Sequence, residues 1–378
     1  MPVTPSQYAC WLPRERFQLL LGVIRAAGYR CVGPQVRDGA IVYDTLHAIE
    51  DLPQGVSDQQ SPGGYQLGES GQQRFFDWAN GPQALKPLLF TPREMLWRAQ
   101  RDAEGRLQFE SCTPDPHPIA VIGARACDLS ALALLDRHFL HGPHPDEHYG
   151  ARRARLFVVG VHCTHPASTC FCASTGDGPR CTYGYDLALA ELDEGFVVQA
   201  RSERGVDMLG RFPVEVRSDS PTKDQLRRVD AAVNAAAAAQ QRALPGRDLS
   251  AALLDQLEHP RWQEVAGRCL ACGNCTAVCP TCFCHAQSEA PALDGQSSEH
   301  YRSWDSCFTQ GHSYIHGLTV RADTRSRYRQ WLVHKLATWH EQYGRSGCVG
   351  CGRCITWCPV GIDLTQEAAA LVAVPGDV

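Results

Sequence analysis

An α/β N-terminal part joined to a C-terminal, ferredoxin-like cysteine module with a helical insert is the fold class this sequence predicts. Three observations predict it. Two wholly apolar runs, Ile119-Ala-Val-Ile122 and Leu156-Phe-Val-Val-Gly-Val161, flank a helical stretch, the pattern of neighbouring parallel strands with a crossover. The pattern C-x2-C-x2-C-x3-C-P occurs twice, at Cys269, Cys272, Cys275, Cys279 and Pro280, and again at Cys348, Cys351, Cys354, Cys358 and Pro359. A long insert separates the repeats and ends in Thr324-RSRYRQWLVHKLATWHEQYG, where Tyr328, Trp331, Leu332, Lys335, Leu336 and Trp339 share one helical face. The expected boundaries are 1–220 for the α/β part, 221–260 for a helical linker and 261–378 for the cysteine module.

Composition narrows the class. The chain has 378 residues, 20% of them charged, and a formal net charge of −5, which gives no sign of general nucleic-acid binding. Its 19 cysteines are an odd number grouped at short intervals, which argues for a reducing compartment and metal ligation over a disulfide framework. Met1 to Phe17 carries Arg14, Glu15 and Arg16 and no apolar core, so no signal peptide is expected. No run approaches the roughly 18 apolar residues of a membrane span, and a cytoplasmic location is the expectation.

From the N-terminus, residues 14–28 read as an amphipathic helix with Phe17, Leu20, Leu21, Val23 and Ile24 on its apolar face and Gly28 as its stop. Strands follow at Tyr29 to Val32 and Ala40 to Tyr43. The stretch Asp51 to Gly71 is polar and rich in Pro, Gly, Ser and Gln, and reads as a surface loop; its Ser61-Pro-Gly-Gly-Tyr65 is either a plain turn or an approach to a partner or cofactor. After the strand at 119–122, Gly123 and Ala124 turn and Asp128 can cap a helix to about Leu140. No GxGxxG fingerprint is present, so a dinucleotide held by this chain itself is not expected. Residues 222–242 form an Ala-rich helix, and Asp248 to Leu257 and Trp262 to Arg268 lead helically into the first repeat.

The repeats carry the chemistry. Three cysteines at intervals of three wrap a tight loop round one corner of a cubane, and the fourth, before proline, reaches the other cluster. On that pattern Cys269, Cys272, Cys275 and Cys358 hold one [4Fe–4S] cluster, and Cys348, Cys351, Cys354 and Cys279 hold a second. Ala271, Gly273, Gly350 and Gly352 let the backbone approach and turn N–H groups toward sulfide. Zinc sites use separated CxxC pairs, a poorer match to four cysteines within eleven residues. Cys127 and Cys163 each follow one of the two parallel strands, where open α/β sheets place their sites. With Cys170 and Cys172 they are either the ligands of a third iron–sulfur cluster or a group of buried thiols, with Cys181 nearby. Cys282, Cys284 and Cys307 in the insert are additional thiols whose role the sequence leaves open. From Arg302 to Arg353 there are eight Lys/Arg against three Asp/Glu, so the insert is either a basic docking face, with Tyr328, Trp331 and Trp339 as interface aromatics, or a solvated helix.

CPTCFC, RSWDSC, RYRQWLVHKL and GCVGCGRCITWCPVGIDL resemble the iron–sulfur beta subunit of cytoplasmic sulfhydrogenases, the NAD(P)-linked [NiFe]-hydrogenases. The anaerobic sulfite reductase A subunit shares that dicluster architecture. Upstream, VRDGAIVYD, GARACDLSAL and HCTHPASTCFCASTGDGP are similar to the same family, so the resemblance spans nearly the whole chain. Cys127, Cys163, Cys170 and Cys172 match family cysteines, Cys181 and Cys10 look particular to this chain, and His285 departs from the aromatic or aliphatic residue expected after CFC. The resemblance implies an electron-relay subunit in a complex whose nickel–iron centre and flavin/NAD(P) site sit on other polypeptides. The alternative is the corresponding subunit of an anaerobic sulfite reductase. A redox-sensing regulator would need a DNA-binding element, and no helix-turn-helix pattern is found. A catalytic iron–sulfur enzyme working alone would find its best support in a third cluster with an open coordination site, and the fifteen histidines fall in no HExxH or triad-like setting.

Overall fold

The computed structural model describes residues 8–83, 85–246 and 248–373. A seven-stranded sheet runs in the order Ala9–Pro13, Gly195–Ala200, Leu187–Leu192, Leu156–Val161, Ile119–Ala124, Arg30–Arg37, Ala40–Thr45. Its four central strands are parallel, and each edge is completed by antiparallel pairing. The two apolar runs are the heart of it, with Ile119 opposite Leu156 and Val121 opposite Val158, and the strand Leu156–Val161 is buried along its whole length. Burial on both faces is why these strands show no alternation in sequence.

The first helix is shorter than its pattern: a 3-10 turn at Arg14–Arg16 leads into Gln18–Ala26, which buries Leu20, Leu21 and Ile24 against the sheet. In the helix Ala126–Leu140, Arg125 takes the N-cap position and Asp128 lies in the first turn. The Ala-rich helix Lys223–Ala238 starts at a Thr222–Gln225 capping box and packs Val229 and Val233 on Ala190, Leu192 and Val197 of the sheet.

Two expectations need correction. The polar stretch read as a loop is a hairpin, Val56–Ser61 with Gly64–Glu69. Its inward side chains include Asp58 and Gln60, which hydrogen-bond each other at 2.7 Å, so polarity did not mean exposure. The insert is helical only in its second half. Its first half is a hairpin, His285–Pro291 with Ser297–Trp304, which adds to Arg93–Arg101 and Leu107–Ser111 in a four-stranded antiparallel sheet. The helix Thr324–Val333 then passes through a π-helical turn at His334–Thr338 into Trp339–Tyr343. Tyr328, Trp331 and Trp339 are buried, and they do not form an interface patch. Arg327 is buried too, donating to the carbonyls of Arg321, Ala322 and Phe308, while Arg325 and Arg329 both pair with Glu258. The helix faces inward because its aromatic stripe and Arg327 satisfy a core, which local charge counting cannot distinguish from a docking face.

Candidate metal centre

Both cysteine repeats fold into the same loop. The helix Arg261–Arg268 ends at Cys269; left-handed residues follow at Ala271 and Gly273, then a helical turn at Asn274–Ala277. In the second repeat Gly350 and Gly352 are left-handed and the turn is Arg353–Thr356. These reversals aim amides at sulfur: Ala271 N–H donates to Cys269 Sγ at 3.4 Å and Gly350 N–H to Cys348 Sγ at 3.5 Å. Glycine is required at 350 and 352 on a second ground. A Cβ at Gly350 would lie 2.5 Å from the Cys172 amide nitrogen, and one at Gly352 would lie 2.6 Å from the Thr169 carbonyl oxygen.

The loops build two adjoining cages. Cys269, Cys272, Cys275 and Cys358 line a cavity walled by Phe308, Tyr328, Trp331 and Ile362. Cys279, Cys348, Cys351 and Cys354 line a second, with Phe171, Val349 and Lys335 in its wall. Each fourth cysteine has thus crossed to the other repeat, and Cys354 lies in the wall common to both. Among the described residues no three Cys, His, Asp or Glu side chains converge on a point as a single metal ion requires. The thiols surround space, an arrangement suited to a cubane whose four irons each take one sulfur.

The electrostatics fit an anionic group. Lys335, presented by the π-helical turn, is buried; it donates to Thr281 Oγ1 at 2.9 Å and among the described residues pairs with no carboxylate. Burial would push its pKa down, but Cys279, Cys282 and Cys348 around it hold it above its ordinary value. A lone buried ammonium is costly unless negative charge stands beside it. Neighbouring Cys282, with Lys335, Thr281 and Lys86, holds Cys279 well below the usual thiol range despite its burial. Burial pushes Cys275 and Cys354 well up, so filling these cages with metal would release protons.

Cys127, Cys163, Cys170 and Cys172 also come together. Cys127 opens the helix after Ile119–Ala124 and Cys163 follows Leu156–Val161, so the parallel register puts both at one edge. The Cys170-Phe171-Cys172 loop lies against the second cage, with Phe171 N–H donating to the Gly350 carbonyl at 2.8 Å. Cys163 and Cys351 are among the charges that act on Cys172, and Cys172 and Cys351 among those that act on Cys127. Asn80 Nδ2 donates to Cys127 Sγ at 3.0 Å and Gln240 Nε2 to Cys172 Sγ at 3.3 Å. Buried Arg125 has two side-chain nitrogens, Nε and Nη1, without partners, and its charge reaches Cys163 and Cys181. Orphaned buried donors beside thiols are what an anion would satisfy.

Sequence reasoning missed Lys86, Arg125 and Asn80, and placed Lys335 on a helical face without giving it a role. Lysine and arginine carry no mark of burial in sequence, and these come from segments remote from the motifs. The Ser61-Pro-Gly-Gly-Tyr65 turn does approach the second repeat: Gly63 N–H donates to the Ile355 carbonyl at 3.1 Å and the Tyr65 ring lies 5.1 Å from that of Trp357.

Residues 268–362 match the family described as a 4Fe-4S dicluster domain. The chain is 29% identical over 279 residues to the sulfhydrogenase 2 subunit beta of Pyrococcus furiosus, covering 74% of this chain and 79% of that protein. No solved structure matches. Among the described residues no helix is long and apolar enough to cross a membrane.

Proposed function

We propose that this chain, an iron–sulfur electron-transfer protein with a 4Fe-4S dicluster domain and a relative of the sulfhydrogenase beta subunit, is the relay subunit of a cytoplasmic [NiFe]-hydrogenase complex. In this reading it passes electrons between the hydrogenase module and a flavin/NAD(P) subunit. When bound, each cubane takes up and gives back one electron at a time. Cys269, Cys272, Cys275 and Cys358 hold the first, and Cys348, Cys351, Cys354 and Cys279 the second. Lys335 and the amides of Ala271 and Gly350 supply positive charge and hydrogen bonds to the sulfur shell, which stabilise the more negative, reduced state. Cys127, Cys163, Cys170 and Cys172, with Arg125 behind them, hold a third cluster against the second cage.

The observation that carries the relay is the contact of the cages through Cys354: two one-electron sites share a wall. Purification of the intact complex tests the rest. A nickel-bearing large subunit and a flavin subunit are expected to accompany this chain, and a siroheme subunit would instead assign it to an anaerobic sulfite reductase. Oxidation of hydrogen by the isolated chain at the rate of the complex would overturn the relay reading.

A further inference from the structure

The two repeats differ just after the cysteine that crosses to the other cage. The chain reads Cys279-Pro280-Thr281 in the first repeat and Cys358-Pro359-Val360 in the second. Val360 is 39% exposed at the first cage, whereas Thr281 is fully buried in the wall of the second. A buried hydroxyl needs partners, and Thr281 Oγ1 has three neighbours to serve. It donates to the Gly347 carbonyl at 2.7 Å, accepts from Lys335 Nζ at 2.9 Å and lies 3.3 Å from Cys279 Sγ. Cys358 takes its bond from the backbone instead, from Ile362 N–H at 3.3 Å.

The Thr281 hydroxyl has one proton, and the Lys335 ammonium has no lone pair to receive it. While Cys279 is a thiol, its own proton can serve the contact with Oγ1. A Cys279 thiolate bound to iron has none, so the contact becomes a hydrogen bond only when the hydroxyl proton turns from Gly347 to sulfur. Lys335 favours that turn, because an ammonium donating to the hydroxyl oxygen makes its proton a stronger donor. The lysine backbone is itself fixed to the second cysteine loop: its carbonyl accepts from Gly347 N–H at 2.8 Å and from Ser346 Oγ at 3.3 Å.

The cages differ in how they can carry added negative charge. Cys272 of the first is exposed, so water can stabilise a reduced cluster there. The second has no exposed cysteine, and Cys279 and Cys348 are buried, so burial alone would make reduction costly. Among the described residues no Lys or Arg lines the first cage, and Lys335 lines the second. We propose that Thr281 is a positioning residue that couples the Lys335 charge to Cys279 and raises the reduction potential of the second cluster. The pair thereby offsets the burial of that centre and keeps it reducible beside its exposed neighbour. The inference rests on the dicluster reading above and adds to it the residue that tunes one cluster and not the other.

The test is a redox titration of the full chain, loaded anaerobically with iron and sulfide and followed by electron paramagnetic resonance. The second cluster is the signal that Cys279→Ala removes. Thr281→Val, which gives the first repeat the residue of the second, is expected to lower that cluster's potential by about 59 mV, a tenfold change in its one-electron equilibrium. The first cluster's potential should hold. Thr281→Ser keeps the hydroxyl and should return the parent value, and Lys335→Met should lower the second potential by more than the first. A second potential that Thr281→Val leaves unchanged or raises overturns the proposal, as does an equal fall in both clusters. Should Thr281→Val alone shed the second cluster, Lys335→Met decides by the same criterion. Loss of that cluster from both variants would make the pair structural and overturn the proposal. A wrong dicluster reading is distinguishable, since the unaltered chain would then lack the second signal.

Discussion

Asp128 and Arg353 form an ion pair at 2.8 Å in which neither side chain is more than 1% exposed. Asp128 belongs to the first turn of the helix behind the parallel strands; Arg353 lies between Gly352 and Cys354 in the second cysteine loop. Arg353 also donates to the carbonyls of Gly81 and Gln83, both at 3.0 Å. The second cage is therefore fastened to the carboxyl edge of the sheet by a fully buried cation.

Removing one partner of such a pair leaves the other charged and dry. Arg353→Met is expected to destabilise the protein by about 3–5 kcal/mol, and Asp128→Asn added to it should recover much of that loss. Urea unfolding followed by cluster absorbance measures both. A single variant as stable as the parent would mean the pair contributes nothing.

Cross-ligation gives a second prediction. Cys279 lines the cage of the second repeat and Cys358 that of the first. Cys279→Ala should therefore abolish the cluster of Cys348, Cys351 and Cys354, and Cys358→Ala that of Cys269, Cys272 and Cys275. Electron paramagnetic resonance distinguishes the two, and the opposite assignment would contradict the interleaving.

The site was legible where ligand spacing is set by the cofactor and opaque where it is set by the fold. Cys269 to Cys279 and Cys348 to Cys358 are local, so their intervals alone foretell the loops. The parallel strands were equally plain, being apolar on both faces. The hairpin Val56–Ser61 with Gly64–Glu69 escaped because its buried side chains hydrogen-bond to one another and to distant groups: Gln60 accepts from Thr356 at 2.7 Å, and Asp58 from the Ala79 amide at 2.5 Å. No hydropathy pattern records such partners. Lys335 was read on the aromatic face of a helix left as either a docking face or a solvated one, yet the π-helical turn places it among cysteines.

The thiols at the sheet edge give a third prediction. Cys170→Ala with Cys172→Ala should lower iron by about four per chain and leave the dicluster signals in place. Iron content equal to the parent's would make these thiols structural.

His138 supplies a pH dependence. Its ring stacks on Phe283 at 3.5 Å between centroids, with Nδ1 2.8 Å from the Tyr343 hydroxyl. Burial, helped by the charge of His285, pushes its pKa from 6.5 down to about 4. The unfolded chain therefore binds a proton that the folded one refuses. The stability from the neutral ring is fully present above pH 6.5 and is lost as pH falls toward 4. His138→Phe should flatten that part of the stability profile by about one proton's slope, measured by urea titration across the range. An unchanged slope would show that His138 does not titrate there.

The last prediction concerns where a partner docks. With Tyr328, Trp331 and Arg327 committed to the core, the insert helix is a poor candidate. The first cage offers a better one. Cys272 is exposed, and of the apolar residues lining the same cavity Leu270 is 63% and Val360 39% exposed. Large apolar side chains at the mouth of a redox site are what a protein interface would cover, and covering them would also exclude water from the sulfur shell. Leu270→Asp with Val360→Asp should weaken assembly with the electron-transfer partner by at least about tenfold, the loss of one modest hot spot, while iron content holds. Binding at this face should also vary little with ionic strength, because apolar contact is not screened as charge pairing is. A steep fall in affinity between low and high salt, with the double variant binding like the parent, would move the docking surface to a charged face elsewhere on the chain.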